Sequence, residues 1–455
     1  MVVELEAAIA ELARPTCCHL ITIGVAHATR HGGNRMRFVH LREYVVLWRA
    51  ALALGMLWSV HAAALAQKAS PPLVEAAARG SVQGVRDLIA AGADLNQGDE
   101  NGITALIISA YAGNVEIIRL LLAASANPNV ANNDGETALH SSAAHANSAE
   151  IVPLLMAAGG DIEKADKWGR TPLLVQALLG RTGSIKALLA AGARIDVRNE
   201  HQATAIHLAA SNGHVSALEV LRTHGASFIL LDKFGSAPLH FAAHQGQADA
   251  VAWLVAQGAQ LRQTNAEGVS PMALAIESGS WLTVKALLDA GVTLKEPIAK
   301  QGAALNVALQ FDRPTMVALL IEHGAPVDLE SNGLTPLLWA AARGRLDETR
   351  LLLAAGANPN QAPPSKALPL LLAAYTGHLP VVRLLIEQGA NVHATNPQGG
   401  TALRSAADAG HIEIIRYLLG LGARSDIRDK FGLLPIDYAR RNGHAEIVKL
   451  LSSAK

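Results

Sequence analysis

Gly192, Gly225, Gly258, Gly291 and Gly324 stand 33 residues apart, four of the five followed by alanine, and the same Gly-Ala step returns at Gly356, Gly389 and Gly422. Repetition at a period of a few tens of residues means one small unit copied many times. A unit that short cannot bury its own apolar face, so each copy must be covered by its neighbours in a stack. The ladder therefore restricts the chain to an elongated array and argues against a single closed core.

A second marker runs in phase with the glycines. Thr104, Thr137, Thr171 and Thr204 each open a Thr-(Pro/Ala)-(Leu/Ile) segment, with His140, His207 and His240 at the next position of that segment. With the threonine slot as a ruler, twelve units open at Pro71, Thr104, Thr137, Thr171, Thr204, Ala237, Ser270, Ala303, Thr335, Leu368, Thr401 and Leu434, every spacing being 32, 33 or 34.

The residue types predict the structure of a unit. Threonine caps a helix N-terminus with its hydroxyl, and proline suits the first helical position because its missing N–H has no partner there. This first helix should end at a glycine such as Gly113, Gly213, Gly246 or Gly344, in the left-handed conformation. A second helix follows: Ile117, Ile118, Leu121 and Leu122 form one apolar stripe on a helix too short to stand alone. Five residues before the threonine slot come turn-forming Asp99, Asn132, Asp166, Asn199, Asp232, Asn265, Asn396 or Asp429, with a glycine three residues later in most units.

These features resemble the ankyrin repeat, whose Asp-x-x-Gly-x-Thr-Pro-Leu-His-x-Ala-Ala pattern is nearly complete from Asp232 to Ala243 (DKFGSAPLHFAA). The resemblance covers roughly residues 70 to 455 and implies an all-α repeat solenoid of about twelve stacked helix-turn-helix units with β-hairpin-like tips. It also implies a concave groove lined by tips and first helices, and a protein-binding scaffold without catalysis or cofactor. In such repeats the third and fourth residues before the threonine slot project from the tip, while the seventh and eighth after it face the groove. The expected partner-binding residues are then Trp168, Phe234 and Phe431 on tips, and Tyr111, Leu178, Leu179, His244, Phe311, Arg343 and Tyr375 on first helices. Large aromatics and arginine bury much area at small entropic cost. Trp339, in an inward slot, should pack in the core.

Two units depart from the pattern. The eighth has Ile298 at the turn position, Gln301 at the tip glycine and Asp312 at the helix-ending glycine, while the tenth carries Pro363, Pro364 and Lys366 in its tip. Residues 294–304 are therefore a candidate joint between two stiffer blocks, against the simpler expectation that the helices there still pack. The terminal units should turn polar faces outward: Glu75, Arg79, Arg86 and Asp87 at one end, and Arg440, Arg441, Asn442, Glu446 and Lys449 at the other.

The first 66 residues lie outside the ladder. Arg37 and Arg42 precede an uninterrupted apolar run from Ala50 to Val60, and Ala64-Leu65-Ala66 supplies small residues at a cleavage point. That order matches a secretory signal, and the run is shorter than the roughly 20 residues of a membrane span. The expected organisation is an upstream extension over 1–35 with translation starting at Met36, a signal over 36–66, and a repeat domain over 67–455 beginning at Gln67. The product is then periplasmic or secreted, with no membrane anchor after cleavage; the alternative is a cytoplasmic or N-terminally anchored protein.

Composition narrows the chemistry further. Cys17 and Cys18 are the only cysteines and precede Met36, so neither disulfides nor a cysteine metal site should stabilise the repeats. The 38 Lys and Arg balance the 38 Asp and Glu, and no long run of either sign occurs, which does not favour nucleic acid as partner. Among 18 histidines, His240 and His244 have a spacing that suits a metal, but no glutamate follows His240 and no third ligand is identifiable. His140, His207 and His240 share one slot, where the resemblance implies hydrogen bonds to neighbouring turns. The reading is a monomeric, exported, non-enzymatic scaffold for an unknown protein partner, with a secreted effector engaging a host protein as alternative and an enzyme with an unrecognised site as a more distant one.

Overall fold

The computed structural model describes residues 70–453 apart from 299, 301, 332 and 363–366. The expected upstream extension and signal, Gln301, and the Pro363, Pro364 and Lys366 tip lie outside these residues. The described residues form twelve helix pairs, one for each threonine-slot unit, and no named strand. They fall into two compact units, 70–267 and 268–453, each holding six pairs.

The expected start signals operate. Thr104, Ser270, Thr335 and Thr401 accept the N–H of the residue three positions on, and proline opens first helices at Pro172, Pro238, Pro271, Pro336, Pro369 and Pro435. The stop signals hold as well: Gly113, Gly213, Gly246 and Gly344 all have positive φ, which a Cβ would strain.

Within each unit, first helices pack on first helices and second helices on second helices. The core between them is aliphatic. Leu139, Leu173 and Leu239 on first helices and Ile117, Ile118, Leu121, Ile151, Leu155, Ile185 and Leu188 on second helices are buried. Each such side chain contributes about 1.5–3 kcal/mol. Paired alanines, Ala209 with Ala210 and Ala242 with Ala243, are also buried and leave room for neighbouring first helices to approach.

The tips are hairpin-like turns too short to form strands. The regular ones close with two backbone bonds: in the fourth repeat Asp166 N–H donates to Arg170 O (2.9 Å) and Gly169 N–H to Asp166 O (2.9 Å). The Asp166 carboxylate then accepts the N–H groups of Trp168 (2.9 Å) and Arg170 (2.8 Å). Asp99, Asn132, Asn199, Asp232, Asn396 and Asp429 do the same, which is why Asp and Asn fill this slot.

The boundary between the two compact units lies outside the candidate joint, 294–304. The division falls at Gly268, one repeat earlier, and the eighth repeat packs between its neighbours because Leu305, Val307, Ala308 and Leu309 remain buried despite its irregular tip. Asn306, in the histidine slot, donates to Leu334 O at 3.1 Å and so replaces the missing imidazole. In the last helix pair Arg440, Arg441, Asn442, Glu446 and Lys449 are exposed around buried Ile447 and Leu451, and in the first Glu75, Arg79, Arg86 and Asp87 are exposed, as polar outer faces require.

Candidate partner-binding surface

In the first unit the tips are joined edge to edge. Asn133 N–H donates to Asn101 O (2.9 Å), Lys167 to Asp134 O (2.9 Å), Glu200 to Trp168 O (3.3 Å), Lys233 to His201 O (3.0 Å) and Ala266 to Phe234 O (2.9 Å). Side chains on successive tips are thus held in register. Trp168 is half-buried, with Lys167 Nζ 4.4 Å and the Arg170 guanidinium 4.3 Å from its ring centroid. Arg170 is itself buried, bonded to Asp166 (2.5 Å) and Glu136 (2.9 Å). Burial pushes the Glu136 carboxyl up, and the Arg170 charge only partly offsets it. Phe234 is half-buried with Lys233 Nζ 5.0 Å from its ring.

The first-helix positions divide. Tyr111, Leu179 and His244 in the first unit and Phe311, Arg343 and Tyr375 in the second are half-buried, each offering part of its side chain to solvent. Leu178 is a correction: it is 3% exposed, because every residue of its helix Pro172–Leu178 is buried, so it belongs to the core. Arg343 stacks over Trp339 at 4.5 Å, and Trp339, 7% exposed, packs inward as expected. Phe431, on the last tip, is 67% exposed. The structure brings Trp168 and Phe234 onto one joined tip edge; Phe311, Arg343, Tyr375 and Phe431 belong to the other unit.

The histidines serve the scaffold. His140 Nδ1 accepts the Thr137 N–H (3.1 Å) while its Nε2–H donates to Arg170 O in the next repeat (3.0 Å); His207 pairs likewise with Thr204 (3.2 Å) and Leu230 O (3.0 Å). Burial lowers both imidazoles to about 4, so they are neutral at physiological pH. His240 accepts the Ala237 N–H at 3.2 Å, and among the described residues no three His, Cys, Asp or Glu side chains converge as metal ligands.

A further slot was not anticipated from sequence. Ten residues after the threonine position, His214 donates to Leu178 O (3.1 Å), Arg313 to Glu277 O (2.8 Å), His411 to Tyr375 O (2.9 Å) and His444 to Asp408 O (3.2 Å). Each ties a second helix to the end of the first helix one repeat back. The recurrence of His214, His378, His411 and His444 at one phase was the available signal.

A family model for ankyrin repeats, built as three copies, matches residues 73–166, 141–232, 224–298, 283–363 and 369–455. The chain belongs to the ankyrin repeat family. It is also similar to the crystal structure of the human ASB11 ankyrin repeat domain, at 29% identity over 49% of this chain and 99% of that one, with a TM-score of 0.44. No curated protein matches it. Ankyrin repeats are protein-interaction modules and typically non-enzymatic. No described helix is long and apolar enough to cross a membrane.

Proposed function

We propose that this ankyrin protein is an exported, non-catalytic, monomeric scaffold that holds a protein partner on its concave face, through tips and first-helix ends. The observation carrying this reading is the set of partly exposed aromatics and arginine at tip and first-helix positions, half-buried Tyr111, Trp168 and Phe234 in the first unit and half-buried Phe311, Arg343 and Tyr375 with exposed Phe431 in the second. Trp253, Trp281 and Tyr417 on second helices are half-buried too, and the photocrosslinking below separates the two faces. Rigid aromatics and arginine make the large interface contributions. The neutral charge balance supports a protein partner over nucleic acid. Export rests on the order of basic residues, apolar run and small residues before Gln67.

Site-specific photocrosslinking in the producing cell tests it. A benzophenone side chain at Tyr375 or Phe431 should capture one partner, and the same probe at Leu282, an exposed second-helix residue, should not. Capture only from Leu282 would put the interface elsewhere. N-terminal sequencing of the mature protein tests export, Gln67 being the expected first residue.

A further inference from the structure

Three tips share one tetrapeptide pattern: Asp166-Lys167-Trp168-Gly169, Asp232-Lys233-Phe234-Gly235 and Asp429-Lys430-Phe431-Gly432. Two of them lie in the first unit, on the fourth and sixth repeats. In both, the aspartate accepts the N–H of the aromatic residue at 2.9 Å, which fixes the backbone from which the ring projects. In both, the lysine ammonium lies against that ring, at 4.4 and 5.0 Å. Each tip thus presents a partly exposed ring with a positive charge beside it.

The two tips are held at a fixed separation, because the bonds from Glu200 to Trp168 and from Lys233 to His201 pass through the tip between them. Helices stack about 8–10 Å apart, so two repeats span roughly 20 Å. An extended chain rises about 3.3 Å per residue and covers that span in about six residues. Along this edge the three exposed cations Lys167, Arg198 and Lys233 stand against two carboxylates, Glu200 and Asp134, and Lys233 Nζ also contacts His201 Nδ1. Lys167 is paired with Asp134, but both are about half exposed, and an exposed pair of this kind is exchanged at small cost.

We propose that the tips of the fourth and sixth repeats form a two-point site for an extended acidic segment of a partner protein, whose apolar or aromatic side chains, about six residues apart, rest on Trp168 and Phe234 while its carboxylates meet Lys167 and Lys233. The site rests on the scaffold reading above and names the chemistry of the occupant. The acidic character follows from the charge along the edge, and the extended form from the continuous run of bonded tips.

Fluorescence anisotropy on the full chain tests the proposal, with a labelled peptide carrying two phenylalanines six positions apart and glutamates and serines between them. The acidic peptide should bind, weaken as salt rises, and outcompete versions with glutamine or lysine in place of glutamate. Phe234→Ser and Lys233→Glu should each weaken it about tenfold or more without moving the melting temperature, and the Lys167→Glu, Lys233→Glu double variant should now prefer the lysine version. That charge exchange keeps the test decisive even if a Trp168 variant folds poorly. No binding of the acidic peptide, equal binding of all three versions, or binding indifferent to Phe234→Ser and Lys233→Glu would overturn the site. Capture of a partner from Tyr375 or Phe431 alongside such a result would leave the scaffold reading standing and remove only this one.

Discussion

The side-chain amide of Gln176 donates to the carbonyl of Leu139, one repeat away, at 3.2 Å, and to the Ser142 hydroxyl at 3.0 Å. The third repeat is one residue longer than the period, Thr137 to Thr171 being 34. Its first helix breaks accordingly, α-helical over Ala138–Ser141 and 3-10 over Ser142–Ala144. That change releases main-chain carbonyls, and the fourth repeat answers them: Gln176 at Leu139, and Arg181 at Ala143 (2.6 Å) and Ala144 (2.9 Å). Where the repeats from the fifth onward carry a small alanine, such as Ala209 or Ala242, this one buries an amide.

Gln176→Leu should therefore destabilise the protein although it replaces a buried polar side chain by an apolar one of similar size. The Leu139 carbonyl keeps the Ser142 hydroxyl as a donor at 2.8 Å, so the loss is that of the two bonds given by the Gln176 amide, about 0.5–1.5 kcal/mol each. Urea unfolding should show the loss, and amide exchange should rise first over 138–145. A midpoint equal to or above that of the parent would mean that the Ser142 hydroxyl suffices for Leu139 and that removing the buried, unpartnered Gln176 Oε1 offsets the lost bonds.

Among the described residues, three other than glycine hold positive φ: Ser125 at 73°, Gln202 at 63° and Asp312 at 58°. Each occupies a slot that is glycine in most repeats. The left-handed conformation costs a residue with a Cβ about 1–2 kcal/mol. Ser125→Gly and Gln202→Gly should raise stability, by something under that figure because glycine also loses more entropy on folding. Asp312→Gly should yield less, since it also removes the ion pair with Arg345 at 2.7 Å. Melting temperatures of the three variants, with Gly192→Ala as the reverse control, give the ranking; no gain at Ser125 would count against strain there.

The fold was legible because twelve in-phase copies let the slots be read against one another, so that Ala237 or Leu434 could be placed where threonine was absent. The surface was less so. Whether the seventh position after the slot faces solvent depends on how its helix packs: Tyr111 and Leu178 share the slot, yet only Leu178 is buried. Bonds between repeats were harder still, because a residue such as Gln176 has meaning only beside the broken helix it completes, and no periodicity marks a helix break.

The buried imidazoles set a pH dependence. His140 and His207 fall from an ordinary value near 6.5 to about 4 in the folded protein, burial being the largest cause. The unfolded chain binds protons between these limits and the folded chain does not, so stability rises with pH from about 4 to about 6.5 and is lost as pH falls through that window. Glu136 and Asp232, whose carboxyls burial raises, act in the opposite sense at the acid end. The His207→Gln variant should lower stability at neutral pH and flatten the slope of the urea midpoint between pH 4 and 6.5. An unchanged slope would show that His207 is protonated in the fold.

Ile229 interrupts a second set of bonds between repeats. After the Gly-Ala step, Asn129 accepts the N–H of Asp161 (2.7 Å) and donates to Gly159 O (2.8 Å); Asn360 accepts from Asn391 (2.8 Å) and donates to Gly389 O (2.9 Å). Asn96 and Asp328 accept in the same way from Asn127 and Asn358. The same slot in the sixth repeat holds Ile229, which is 55% exposed and offers no polar atom. By phase, the groups it leaves are the N–H of Gln260 and the carbonyl of Gly258. Ile229→Asn should supply both bonds, each worth about 0.5–1.5 kcal/mol net, while removing little buried apolar area. A higher urea midpoint with slower amide exchange at Gln260 is the expected outcome. A lower midpoint would show that the isoleucine packs on its neighbours and that the slot has been put to another use in this repeat.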